Sequence, residues 1–510
     1  DQARVDAIEA ALLARWPENR IAPTLERISA LVDALGEPQL SYPTIHIGGT
    51  NGKTTTSRMI DSLLFSMGLR TGRFTSPHLE TYRERIAING EPIDPKDLIF
   101  AYNDIAAYFD FIDSLGVSIN IAALMGHNNI RKQVMGSANR HATALELQQM
   151  EAITDKAMKA GAVGMSTGLI YIPGTFAPTD EVVALAKVVA NNGGVYSSHI
   201  RNEEDKVAEA IKEAIEIGRQ AKIPVEISHF KVNGQNNWGR SDEALALVEN
   251  ARKEGIEVTI DQYPYTASST NLGVVLPDWV LADGQDSILA RLKNADIRSK
   301  AKAHSINMIK KRGLKHFDYA VVANFKSDTS YNGKNIREIN IIRGNKDNAQ
   351  EEAETIVQMI ELGGAQMVYH GMGDKDVKKI MAYPFNMAAS DAGIAVMGVS
   401  RPHPRAYGTN ARVLGKYVRE EKVMSLEEAI RRMTSLPANK FNFKERGIIK
   451  EGFFADIVVF DENEVTDMAT FENPHQFSKG FKYVFVNGAI TIDNGIHIGT
   501  RKGVAIRIKN

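Results

Sequence analysis

The sequence predicts an α/β protein built on a parallel sheet or barrel, and three observations carry that prediction. Between residues 117 and 265, short apolar runs alternate with amphipathic stretches, at the roughly thirty-residue cadence of successive βα units. Two such runs, and a third further along the chain, close on a polar side chain, in Ser197-Ser198-His199, Ile227-Ser228-His229 and Ala389-Ser390-Asp391. In a parallel α/β protein these side chains leave the carboxyl ends of strands, where barrel enzymes keep their chemistry. Finally, 510 residues with 43% hydrophobic content can fill a large core with additions.

Composition also excludes several classes. The 61 Lys and Arg balance 62 Asp and Glu, so no basic face is forced and nucleic acid is not an expected partner. No apolar run approaches a membrane span, which leaves a small molecule as the expected partner and the cytoplasm as the expected compartment. The absence of cysteine excludes disulfides, thiolate metal ligands and a cysteine nucleophile.

Along the chain, residues 2–16 and 24–35 read as amphipathic helices separated by Pro17-Glu18-Asn19. A short strand at 44–48 leads into Gly48-Gly49-Thr50-Asn51-Gly52-Lys53-Thr54 and then a helix to about residue 67. Strand, glycine loop and helix in that order suit a phosphate. The Gly49, Thr50, Asn51 and Gly52 backbone can approach a nucleotide closely, Lys53 can reach its outer phosphates, and Thr54 can hold Mg2+. An eight-residue Walker pattern is not present, because its first glycine would fall on Ile47. With Thr75-Ser76-Pro77-His78-Leu79 downstream, residues 1–110 resemble the amino end of folylpolyglutamate synthases, Mur-ligase-like enzymes with the shorter Gly-Thr-Asn-Gly-Lys loop. That resemblance implies ATP and Mg2+ at this loop.

Beyond residue 111 strands are expected at 117–124, 161–167, 194–200, 224–229, 256–265 and 385–390. Helices are expected at 143–160, 179–191, 206–221, 242–253 and 425–434. Residues 287–379 are more polar and read as an irregular insertion or lid, with helices at 288–293 and 349–361. From 447 on, short strands at 456–460, 483–486 and 489–492 follow one another, the last two joined by an Asn487-Gly488 hairpin turn.

This second portion carries Gly168-Leu169-Ile170-Tyr171-Ile172-Pro173-Gly174, Ser198-His199-Ile200-Arg201-Asn202-Glu203, Asp261-Gln262-Tyr263-Pro264-Tyr265 and Arg401-Pro402-His403-Pro404-Arg405. With these markers, in this order, it resembles the N-acyl-D-amino-acid deacylases of the amidohydrolase superfamily. The resemblance implies a metal-dependent (β/α)8 TIM-type barrel at 111–446, interrupted by the insertion, and a small β-sandwich portion at 447–510. It implies zinc held by His199, His229 and Asp391, with Asp391 also taking the proton of the attacking water. Lys231, Tyr171, Tyr263 and Ser269 are the implied substrate-binding residues. His127, His141, His304, His316, His370, His475 and His497 read as surface or structural, and His403 is left open.

The chain departs from that pattern in one place. It has no His-x-His on a first strand and no cysteine, because the synthase-like segment stands where both belong. The chain therefore reads as a chimera of two families. A βα unit at 44–67 and a strand at 71–75 are expected to stand in for the first two barrel strands. Three functional readings follow: zinc-dependent hydrolysis of N-acyl-D-amino acids, an ATP-dependent folylpolyglutamate synthase type of ligation, or an inactive binding protein with a vestigial metal site.

Overall fold

The computed structural model describes residues 105–508 and the backbone of 72–74, 86–88 and 91–92. The expected helices at 2–16 and 24–35, the strand at 44–48 and the Gly49 to Thr54 loop lie outside the described residues. The chain divides into two compact units, Asp1–Leu115 and Gly116–Asn510. In the first, the strand expected at 71–75 is observed at Gly72–Phe74. It pairs antiparallel with Ile86–Ile88, which pairs in turn with Glu91–Pro92. Among the described residues this strand pairs only with its hairpin partner.

The second unit is built on a six-stranded parallel sheet. Its strands are β1 (Leu124–Gly126), β2 (Gly164–Gly168), β3 (Val195–His199), β4 (Val225–Ile227), β5 (Val258–Gln262) and β6 (Asn386–Ala388). They are hydrogen-bonded in chain order from β1 to β6, and helices separate most of them. This is the α/β class that the thirty-residue cadence predicts. All strands run the same way, and Gly168, His199, Ile227, Gln262 and Ala388 end within one or two residues of their neighbours in register. That registration brings the residues following five different strands to one rim.

Helix Val207–Ala221 illustrates why these segments fold as they do. Val207, Ile211, Ala214, Ile215, Gly218 and Ala221 recur at three- and four-residue spacing and are buried against the sheet. A Cβ on Gly218 would collide with the Val225 side chain, so the glycine lets helix and β4 approach closely. Helix Ala144–Lys159 begins with a reciprocal capping box between Thr143 and Glu146, a device that contributes about 1 kcal/mol.

Two expectations are corrected. The run 117–124 is not one strand: Ile121–Ala122 pairs with Ala505–Ile506, while β1 begins at Leu124. The apolar run serves two sheets in turn, and helix His127–Met135 follows β1 directly. Nor is the segment after β5 irregular. Strands Ala267–Asn271, Gln366–His370 and Ala320–Asn324 form an antiparallel sheet. Helices, among them Ala295–Lys311 and Ala349–Glu361, bury Leu292, Phe317, Ile356 and Met359 beside it. The polar residues that made this stretch look like a loop occupy the solvent faces of these helices.

The last strands are Ile457–Phe460, Phe481–Val486, Ala489–Asp493 and Ile496–His497, in one antiparallel sheet. Asn487 and Gly488 have φ of 49° and 82°, the two positive values that a type I′ hairpin turn requires.

Beside β1, His127, Arg131 and Glu181 form a buried ionic brace between two helices. His127 Nε2 lies 2.9 Å from one Glu181 oxygen, and the Arg131 guanidinium pairs with the other. Removing the acid leaves the buried Arg131 cation without a counter-charge and the His127 Nε2 without its acceptor. Glu181→Ala is expected to lower the free energy of unfolding by about 3–5 kcal/mol. Glu181→Ala combined with Arg131→Met should lose less than the single variant, as measured by urea titration.

Candidate metal centre

His199 is the last residue of β3, and its ring stands 4.3 Å from the ring of His229, centroid to centroid. His229 lies two residues beyond β4 and is held by β5. Its amide donates to the Asp261 carboxyl at 2.6 Å, and the next amide, Phe230 N, donates to the Asp261 carbonyl at 2.7 Å. This double clamp keeps His229 at φ 40°, a left-handed conformation that costs a side-chain-bearing residue about 1–3 kcal/mol. Asp391, three residues beyond β6, has φ 49°. Backbone strain thus falls on two of the residues singled out by the sequence.

Asp261 is itself unusual. Burial, and then the neighbouring Glu226 carboxylate, push its carboxyl well above the ordinary range. Glu226 accepts hydrogen bonds from Ser197 and, at 2.7 Å, from Ser228 Oγ. A hydroxyl and carboxyl layer therefore supports the histidines from below.

The donor atoms of His199, Glu203 and His229 lie within 4.8 Å of one another. Glu203 Oε1 is 3.9 Å from His199 Nε2 and 3.0 Å from His229 Nδ1. Lys231 sits among them, its ammonium donating to Glu203 Oε1 at 2.6 Å and to His229 Nδ1 at 2.7 Å. Burial would raise the Glu203 carboxyl, but Lys231 and the two imidazoles outweigh it and hold it well below its ordinary value. Burial, then His229, holds His199 well below the usual imidazole value, so this ring is neutral. Its Nε2 is buried with no hydrogen-bond partner.

A neutral imidazole with a free nitrogen, a second imidazole and an ionised carboxylate are the donor set a divalent zinc ion takes. On that chemistry the three residues fit a single ion. Asp391 is not part of the triplet, since its carboxylate pairs with the Arg405 guanidinium at 2.8 Å.

These groups line a cavity of about 230 Å3. Of the implied substrate-binding residues, Tyr263 is buried with its hydroxyl unpartnered. Its ring lies 4.5 Å from the Arg405 guanidinium and 5.6 Å from Lys231 Nζ. Burial keeps this phenol well above its ordinary value, so it remains a donor. The Tyr171 hydroxyl accepts from Thr270 at 3.0 Å, and burial pushes it up to about 12. Ser269 lines the cavity too, but its hydroxyl donates to the Met367 carbonyl at 2.7 Å. His304, read from sequence as surface or structural, is also at the cavity wall.

Sequence reasoning missed four groups: Glu203, Arg405, Asp261 and Glu226. The first three stand inside quoted markers, Glu203 four residues after His199 and Arg405 two after His403, and that company was the available signal. Glu226 had none beyond a charge within an apolar run.

His403 has a definite place. Its ring donates to the Ala267 carbonyl at 2.9 Å and accepts from the Arg405 amide at 3.0 Å, so it orients Arg405. Burial, then Arg405, holds it well below 6.5. The unfolded chain takes up this proton near pH 6.5 and the folded chain does not. This imidazole therefore costs no stability above that pH and progressively more below it. Unfolding free energy, measured by urea titration at several pH values, is expected to fall as pH drops below 6.5, with a shallower slope in His403→Asn.

Comparison with known proteins identifies relatives of both parts of the chain. Residues 96–492 match the model of the amidohydrolase family. The D-aminoacylase of Alcaligenes xylosoxydans xylosoxydans is 33% identical over 406 residues, which cover 79% of this chain and 74% of that protein. The crystal structure of an N-acyl-D-glutamate deacylase from Bordetella bronchiseptica, complexed with zinc and a phosphonate inhibitor, is 35% identical. It superposes with a TM-score of 0.65, covering 79% of this chain and 75% of that one. At the other end, the dihydrofolate synthase/folylpolyglutamate synthase of Mycobacterium tuberculosis is 54% identical over 106 residues, 21% of this chain and 22% of that enzyme. The chain is chimeric, and through its parallel sheet and the site at the sheet's rim it belongs to the amidohydrolase family.

Proposed function

We propose that the second unit is a zinc-dependent deacylase that hydrolyses N-acyl-D-amino acids to a carboxylate and a free D-amino acid. The observation that carries this reading is the convergence of His199, Glu203 and His229, with an unpartnered His199 nitrogen, on a cavity that also holds Lys231, Tyr263 and Asp391. His199, His229 and a carboxylate hold the ion, which when bound supplies hydroxide near neutral pH and polarises the amide carbonyl. Glu203 is the carboxylate within reach, and Asp391 is the second candidate.

The remaining chemistry belongs to the protein's own side chains. Asp391 takes the proton of the attacking water and returns it to the leaving amine nitrogen. Its carboxylate is positioned by the ion pair with Arg405. The Tyr263 hydroxyl, protonated and unpartnered, donates to the oxygen of the scissile carbonyl as charge builds on it. Lys231, which pairs with Glu203 at 2.6 Å, would take the free carboxylate of the substrate. Tyr171 and Ser269 close the wall around the amide, already engaged by Thr270 and Met367.

The protein is expected to bind a single zinc ion, lost in His199→Ala and His229→Ala, and to release amine from N-acetyl-D-amino acids but not from the L enantiomers. Asp391→Asn should keep the metal and lower kcat by about 10²-fold or more. A zinc-loaded protein inert toward a broad panel of N-acetyl-D-amino acids would falsify this reading.

A second reading concerns residues 1–110 and rests on the Gly49 to Thr54 loop and the 54% identity of this segment to a folate-glutamate ligase. We propose that this loop binds ATP with Mg2+. Lys53→Ala is expected to weaken ATP binding, read by calorimetry, by about tenfold or more. Equal affinity in the variant removes the loop from the site.

A further inference from the structure

Glu203, Glu204 and Asp205 follow one another in the loop after β3, and each meets a different cation. Lys231 takes Glu203 at 2.6 Å and Lys311 takes Asp205 at 3.3 Å. The Arg312 guanidinium grips Glu204 with Nε and Nη2, Nε lying 3.0 and 3.2 Å from the two oxygens. Lys311 ends helix Ala295–Lys311, and Arg312 follows it directly. This helix belongs to the body inserted between β5 and β6, so the inserted body holds the loop that carries Glu203.

The same helix end is tied to the loop after β4. The Asn236 side chain donates to the Lys311 carbonyl at 2.9 Å, and three residues earlier the Asn233 amide donates to the Glu203 carbonyl at 2.8 Å. Within the Glu203 loop the Asn202 side chain accepts from the Glu204 and Lys206 amides at 2.8 and 3.0 Å. Those local bonds shape the turn but leave its distance from the histidines open. A forked guanidinium–carboxylate pair fixes distance and orientation together. Arg312 is buried, lies 4.9 Å from the Tyr319 ring centroid and donates to the Tyr319 hydroxyl, which leaves its fork little room to swing.

Resting on the metal reading above, we infer that Arg312 is a positioning residue for the metal centre. Through Glu204 it fixes the loop that delivers Glu203, and so couples the inserted body to the site at the rim. A donor already held beside His199 and His229 gives up less freedom on meeting an ion than one drawn in from a loose loop.

The test is zinc affinity of the full-length protein, measured by competition with a chromophoric chelator, together with the visible spectrum of the cobalt(II)-loaded form. Arg312→Met and Glu204→Gln are each expected to weaken zinc about ten- to hundredfold and to alter the cobalt spectrum. Should Arg312→Met fail to fold, Glu204→Gln carries the test. Because Arg312 acts through Glu203, Arg312→Met added to Glu203→Gln should weaken zinc no further than Glu203→Gln alone. Arg298→Met removes another ion pair of the inserted body, with Glu354 and Glu361. It should lower stability in urea while leaving zinc affinity and the cobalt spectrum unchanged, which separates positioning from a general loss of fold. Unchanged zinc affinity in Glu204→Gln, a loss that adds to that of Glu203→Gln, or an equal loss in Arg298→Met overturns the inference alone. A wild-type protein that binds no zinc overturns the metal reading and this inference together.

Discussion

The hydrogen bond from the His229 amide to the Asp261 carboxyl is the constraint on which the site depends. It joins the residues after β4 to β5 and holds His229 in a backbone conformation that an ordinary residue avoids. In that conformation the imidazole stands beside His199 and its Nδ1 faces Glu203. Burial and the Glu226 carboxylate push the Asp261 carboxyl well above its ordinary value, so it holds the amide with less negative charge than a free carboxylate would bring. The strain at His229 is thus carried by the sheet, whose strands are tied to their neighbours along most of their length.

Charge is handled in the same economical way one layer higher. Two of the three donors that suit a dication, Glu203 and His229, hold the Lys231 ammonium. A buried carboxylate such as Glu203 needs a cation nearby, and Lys231 supplies it within the protein itself. The same lysine is the natural partner for a substrate carboxylate, so ion and substrate compete for one small group of charges. Around it each remaining cation of the wall has its own acid, which makes the cavity nearly neutral despite its many ionisable groups.

The two ancestries of the chain have unequal weight in the fold. Residues 116–510 form a compact unit with a parallel sheet, an antiparallel sheet inserted between β5 and β6, and a terminal antiparallel sheet. None of the helices among the described residues is long and apolar enough to cross a membrane. The synthase-like segment contributes to a separate unit, Asp1–Leu115. The first metal-ligand motif, absent from the sequence, has no substitute of imidazoles among the described residues near His199 and His229. Glu203 is the third donor there.

Much of this was legible in the sequence, and for identifiable reasons. Periodic apolar runs specify strands and helices wherever burial is one-sided or complete, so β2 to β6 and their helices, and the Asn487-Gly488 turn, stand close to where the pattern puts them. His199, His229 and Asp391 were nameable because each closes or closely follows an apolar strand run, and Lys231 and Tyr263 through the family resemblance of the markers around them. What tertiary structure alone decided is which partners those side chains meet. Glu203 returns to the histidines by a loop, Arg405 reaches Asp391 from the start of a helix, and Asp261 acts through a backbone amide on a neighbouring strand. The polar insertion was misread because solvent-facing helix surfaces and loops share a composition, and only packing separates them. Pairing across the sheet is a long-range event with no local signature. The sequence by itself determined which chemical groups stand at the rim, and the fold determined which of them are charged, paired or left with a free nitrogen.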